Sequence, residues 1–150
     1  MIEAWFDGCC EPVNPGGHAA YGAVIKRDGE YVFGKGEYVG HGKGISNNVA
    51  EYAGMICVLE QLLSLSDLSK HSVTIYGDSK LVVMQMAGRW KSHGGAYVPF
   101  MQRAKQLALA LPSKPTYKWI PRDKNEECDG LSKQVIRDRG IEFRIQPEAA

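Results

Sequence analysis

Four carboxylates stand where apolar segments start or stop. Asp7 closes the apolar run that opens the chain, and Asp78 closes the run "HSVTIYGDS". Glu51 and Asp129 each fall near the start of a helical pattern, in "SNNVAEYAG" and "NEECDGLSK". Singly, each has a plain structural reading. Asp7-Gly8 reads as a turn, and Glu51 three residues after Asn48 as half of a capping box. Asp78 reads as a helix cap and Asp129 as an acid answering a helix dipole. Together they point elsewhere. Four acids at one place repel each other by several kcal/mol unless cations offset them. Oxygen-only ligands, with no His or Cys among them, select hard ions such as Mg²⁺ or Mn²⁺. Two such ions roughly 4 Å apart suit in-line displacement at a phosphodiester.

The elements that must position these acids follow from periodicity. Residues 2–7, 20–27 and 30–39 alternate as strands, with Asp28-Gly29 as a hairpin turn between the second and third. From Ser46 the pattern turns helical, with an apolar face through Val49, Ala53, Ile56, Leu59 and Leu63. Residues 71–79 hold a fourth strand and 79–86 a short helix. A helix over 98–111 carries Pro99 in its first turn and stops at Pro112. "PTYKWI" is a fifth strand, and the last helix runs from Asn125 to Arg139 before Gly140. The expected order is βββαβααβα: an α/β fold with one five-stranded mixed sheet flanked by helices. Strands one and four, if neighbours, bring Asp7 and Asp78 to the edge where α/β sheets build sites. Trp5, Tyr52, Tyr76 and Trp119 read as core.

A chain of 150 residues suits one domain, expected over 1–140 with a tail at 141–150. No apolar run reaches membrane-spanning length, and no basic leader opens the sequence. Four cysteines without a Cys-x-x-Cys pair argue against a disulfide scaffold or a zinc site and for free thiols in the cytoplasm. Cys9, Cys10 and Cys128 adjoin Asp7 and Asp129, so thiol oxidation is a conceivable disturbance there, a structural role the plainer reading. The net charge of +1 hides an asymmetry. Between Ser79 and Arg122 there is no acid, while Lys80, Arg89, Lys91, Arg103, Lys105, Lys114, Lys118 and Arg122 are all basic. That is the footprint of a polyanion-binding face, with solvated helix faces as the plain alternative.

The segments "DGCCEPVNPGGHAAYGAVI", "SNNVAEYAG", "YGDSKLVV" and "WIPRDKNEECDGLSK" resemble, in order and spacing, ribonuclease H of type 1 over nearly the whole chain. The resemblance implies the ribonuclease H-like fold, with the first three strands antiparallel. It implies endonucleolytic hydrolysis of the RNA strand of an RNA/DNA hybrid, leaving 3′-hydroxyl and 5′-phosphate ends. Asp7, Glu51, Asp78 and Asp129 would be both the catalytic residues and the ligands of two Mg²⁺ ions, replaceable by Mn²⁺. By analogy Asp7 bridges the ions, Asp129 serves the one that activates water, and Glu51 with Asp78 the one at the leaving oxygen.

The resemblance also implies substrate contacts. Asn14, Asn47 and Asn48 match positions that touch the hybrid, where the RNA 2′-hydroxyl must be sensed. Lys26 and Ser46 match positions that hold a DNA phosphate together with Asn14. Gln85 and Trp90 match further contacts, although Trp90 also reads as a loop aromatic. The sequence departs from the family in its short "PRDKNEEC" loop, which lacks the His that many members carry. Arg122 is the nearest stand-in, or a partner of Asp123 or Glu126. A basic helical protrusion after Trp90 is also missing. The expected partner is therefore the hybrid, acted on by a monomer without membrane attachment. The alternatives are a nuclease of this fold acting on double-stranded RNA or a DNA-RNA junction, and a non-catalytic hybrid-binding module.

Overall fold

The computed structural model describes residues 1–144. Three strands open the chain: β1 (Ile2–Glu11), β2 (His18–Arg27) and β3 (Glu30–His41). The helix α1 (Asn47–Leu63) follows, then β4 (Val73–Gly77), α2 (Lys80–Met86), α3 (Val98–Leu109), β5 (Thr116–Trp119) and α4 (Glu126–Asp138). Single 3₁₀ turns at Leu68–Lys70 and Arg122–Lys124 lead into β4 and α4. The sheet order is β3-β2-β1-β4-β5, with β1, β2 and β3 antiparallel and β4 and β5 parallel to their neighbours. The expected element order, sheet and strand directions are all present.

Alternation along β1 sends its side chains to two layers. Ile2, Ala4 and Phe6 are fully buried with Tyr52, Met55, Leu59 and Leu62 of α1, and with Ile75, Val82 and Ala104. The opposite layer is α4, which packs on β1, β2 and β3, with Ile136 buried beside Cys9, Ala20 and Phe143. Asp28 and Gly29 both take positive φ, 50° and 83°, as a two-residue hairpin turn requires. Residues 141–144 lie against β1, where the Arg144 backbone N–H donates to Glu11 at 2.9 Å. The rest of the expected tail lies outside the described residues. Among the described residues no helix is long and apolar enough to cross a membrane.

Several expectations need correction. Strand β1 does not end at Asp7 but runs on to Glu11, still paired with β2. What ends there is the other neighbour, since the β1–β4 ladder stops at Phe6 opposite Gly77. Asp7 is thus flanked on one side only, and the open side is where a site can form. Trp119 is not core but 44% exposed at the sheet edge, because among the described residues β5 has no further strand beside it. Trp5 and Tyr76 are half-buried and stack on each other at 5.3 Å, while Tyr52 is fully buried as expected.

Gly8 sets how closely α1 approaches the sheet. A Cβ at this position would lie 2.5 Å from the Glu51 backbone nitrogen and 2.6 Å from the Ala50 carbonyl carbon. Only a residue without a side chain lets the α1 backbone rest on β1 there. Gly8→Ala is therefore expected to push α1 outward and lower stability by about 1–3 kcal/mol. Urea unfolding monitored by circular dichroism reads this directly.

Candidate active site

Glu51 reaches the site from the second turn of α1. The helix is capped by Ser46, whose Oγ accepts from the Val49 backbone N–H at 3.2 Å. Glu51 therefore takes no part in a capping box. Asp78 is likewise no cap, since Ser79 performs that task for α2 by accepting from the Val82 N–H. Freed from local duties, both carboxylates turn toward Asp7. One oxygen from each of Asp7, Glu51 and Asp78 lies within 4.8 Å of the other two.

This cluster is electrostatically costly. Asp7 and Glu51 are 4% and 3% exposed. At an effective dielectric of about 20, two ionised carboxylates at this spacing repel by roughly 3–4 kcal/mol. Burial, then the charge of Asp78, pushes the Asp7 carboxyl up to about 8, although the Gly8 N–H donates to its Oδ1 at 2.9 Å. Burial and the neighbouring Asp7 hold Glu51 well above the usual carboxylate range. Asp78 is also raised, chiefly by burial, with Arg122 pulling the other way. Glu51 Oε2 and Asp78 Oδ2 are buried with no hydrogen-bond partner. Buried oxygens are normally satisfied, so two orphans in one acidic cluster are groups that could ligate a cation. The donor set is all oxygen and fits a hard divalent ion.

Asp129 comes from the other layer. It sits on the first turns of α4 and shares a cavity of about 350 Å³ with Asp7, Glu51, Asn47, Arg122, Lys133 and Arg144. It stands outside the three-acid cluster and pairs with Lys133 at 3.0 Å, one helical turn on. The start of α4 is fixed by Asn125, which is buried and donates from Nδ2 to the Phe6 carbonyl at 2.8 Å. Neither Asn125 nor Lys133 figures among the sequence-derived candidates. The Asp129–Lys133 spacing was a readable signal. Asn125 looked like an ordinary helix start, and only the fold reveals its bond to a strand 119 residues away.

The expected substrate residues divide. Asn14 and Asn47 come together, the Asn14 Oδ1 accepting from the Asn47 backbone N–H at 2.9 Å, with Ser46 adjacent. Asn47 and Arg122 both line the acidic cavity, and Asn48 lies in the same helical turn. Trp90 is 44% exposed after α2, outside that cavity. Two placements correct the sequence reading. Lys26 is near the far end of β2, roughly 25 Å from the Asn14 turn at about 3.3 Å per residue. Its ammonium sits over the rings of Trp5 and Tyr31 at 5.3 and 4.5 Å, so it does not join Asn14 and Ser46. Gln85 is 1% exposed, and its amide is consumed inside the protein. It accepts from the Tyr52 hydroxyl at 2.5 Å and donates to the Tyr97 hydroxyl at 3.0 Å. It therefore ties α1 to the segment after Trp90 and lies outside the acidic cavity. The four thiols are free and buried, and burial pushes Cys9 up to about 11 and Cys128 higher still. Such thiols are poor targets for oxidation, which weakens the redox idea.

A family model described as reverse transcriptase-like matches residues 5–135. Ribonuclease HI of Halobacterium salinarum is 29% identical over 91% of this chain and 65% of its own length. The uncharacterized protein YpeP of Bacillus subtilis is 33% identical over 65% of this chain and 42% of its own length. The chain thus spans less than two thirds of these curated relatives. Among solved structures, LC11-RNase H1 in complex with RNA/DNA hybrid superposes with a TM-score of 0.82 at 29% identity, covering 93% of this chain and 99% of that one.

Stability without divalent ions should depend on pH in an unusual direction. Asp7 holds its proton in the folded chain up to about 8, whereas the unfolded chain releases it near 3.8. The folded state therefore binds more protons across that window, and stability falls as pH rises through it. The thermal midpoint in chelator is expected to drop from about pH 5 to about pH 8, and Mg²⁺ or Mn²⁺ to recover most of the loss at the upper end.

Proposed function

Given that the chain belongs to the reverse transcriptase-like family, as a type 1 ribonuclease H in sequence and fold, we propose that it hydrolyses the RNA strand of RNA/DNA hybrids. The cut is internal and leaves 3′-hydroxyl and 5′-phosphate ends. The observation that carries this reading is the close cluster of Asp7, Glu51 and Asp78 with two buried, unpartnered carboxylate oxygens. Asp7, Glu51 and Asp78 would hold Mg²⁺, with Mn²⁺ as a substitute, and Asp129 would complete the ligand set from α4. Two such ions, when bound, supply a water of lowered pKa and positive charge beside the leaving oxygen.

The chain's own residues do the rest. Lys133 holds the Asp129 carboxylate in place, and Asn125 anchors the start of α4 to β1. Arg122 stands on the cavity wall, where its guanidinium can grip a phosphate oxygen and take the place of the missing loop His. Asn14 bonds to Asn47, and Asn48 follows in the same helical turn; their amide groups would suit reading a 2′-hydroxyl in a minor groove. Trp90 with its neighbour Lys91 would extend the positive surface along the duplex. Free buried thiols favour a cytosolic location, and a site assembled within one chain fits a monomer.

An end-labelled RNA/DNA hybrid should be cut internally in its RNA strand with Mg²⁺ or Mn²⁺, while RNA/RNA, DNA/DNA and single-stranded RNA stay intact. Asp78→Asn should lower the rate by a factor on the order of a hundred or more, and Arg122→Ala should lower kcat more than it raises KM. Cutting of double-stranded RNA or a junction in preference to the hybrid would assign a different substrate. Tight hybrid binding without cutting under either metal would leave only a binding module.

A further inference from the structure

A second cavity, larger than the acidic one at about 710 Å³, lies between α2, α3 and the edge strand β5. Its floor is aliphatic, with Val83, Met86, Ala108 and Pro115, and Leu109 stands 85% exposed at its rim. Trp119 closes one end. Its indole N–H donates to the Asp78 carbonyl, and the Lys80 ammonium covers one ring face at 5.0 Å. Three cations, Arg89, Lys105 and Lys114, line the groove, and among the described residues no acid does. None of the three forms an ion pair with another described residue. Beside the groove, β5 is the outermost strand among the described residues, and none of their strands pairs with its outer backbone groups. An exposed edge next to an apolar groove is a template for an added extended segment.

We propose that this groove is a docking site for an extended acidic peptide segment of a partner protein, with aliphatic or aromatic side chains as anchors. Charge complementarity sets the sign of the partner, because among the described residues these cations have no ion-pair partner and no acid lines the groove. The apolar floor sets its class. Phosphate backbones favour polar, cationic channels, and bases favour open aromatic faces. Here the two aromatic rings of the lining are not open platforms, since Tyr117 packs against the core and one face of the Trp119 ring is already taken by Lys80. Exposed apolar surface rimmed by charge is the usual mark of a protein contact. The site is distinct from the acidic cavity, so a partner bound there leaves Asp7 and Glu51 open.

The test uses the full chain, isotope-labelled, with amide shifts followed by NMR. The probe is a synthetic peptide of four acidic residues followed by Leu-Leu-Phe. One control replaces its apolar residues by Ser, and a second is a single-stranded DNA oligonucleotide of similar charge. The peptide is expected to move amides of residues 83–89, 105–109 and 114–119, with affinity in the micromolar range. The Ser control should bind at least roughly tenfold more weakly. Leu109→Glu, at an exposed position outside the acidic cavity, should abolish the shifts while hybrid cleavage stays unchanged. No groove shifts with the peptide, equal response to the Ser control, or tighter groove binding by the oligonucleotide would each overturn the proposal.

Discussion

Mutual repulsion among buried carboxylates is the constraint around which this molecule is built. Asp7 and Glu51 are nearly inaccessible to water, and Asp78 is half-buried beside them. Without a cation, burial and the neighbouring acids favour the protonated form, which raises the Asp7 and Glu51 carboxyls above the ordinary range. A stable fold tolerates such a centre only if the surrounding structure holds it rigidly. The rigidity comes from both layers. Gly8 lets α1 rest on β1, the early end of β4 opens a gap beside Asp7, and Asn125 fastens α4 to the same strand. Each device brings one acid to the place where the central strand loses a neighbour.

Charge outside the cluster is arranged in complement. Lys133 and Arg122 stand near the acids without entering the cluster, which suits the proposed reading, in which both cations and phosphate would bind there. The long acid-free segment divides its work. Arg122 belongs to the cavity wall, Trp90 with Arg89 and Lys91 lies in the segment after α2, and Lys105 and Lys114 frame the second groove. A single basic run in the sequence thus serves more than one surface, because α2, α3 and β5 fan its residues over different faces.

Much of the fold was legible because its signals are local. The Asp28-Gly29 turn, Pro99, the stop at Pro112 and the periodicity of α1 all act within a few residues. The meeting of Asp7, Glu51 and Asp78 was legible because no local role explains these acids jointly. What sequence hid was set by distance and by face. Lys26 could be aligned with a phosphate site, yet strand length carries it to the far end of β2 and onto aromatic rings. Gln85 looked like a polar residue on a short helix, yet the neighbouring tyrosine hydroxyls draw it inside. Trp119 looked apolar enough for the core, yet β5 proves to be an edge. Asn125 gained its meaning only from a bond across the sheet.

The most direct test of the central constraint is calorimetric titration of Mg²⁺ or Mn²⁺ into the substrate-free chain near pH 7, repeated in buffers of different ionisation enthalpy. If the cluster keeps protons that a cation replaces, metal binding releases protons, and the observed heat varies with the buffer. Glu51→Gln should reduce both the affinity and the release. Binding without proton release, or with unchanged affinity in that variant, would contradict the view that this buried acidic cluster is a cation site.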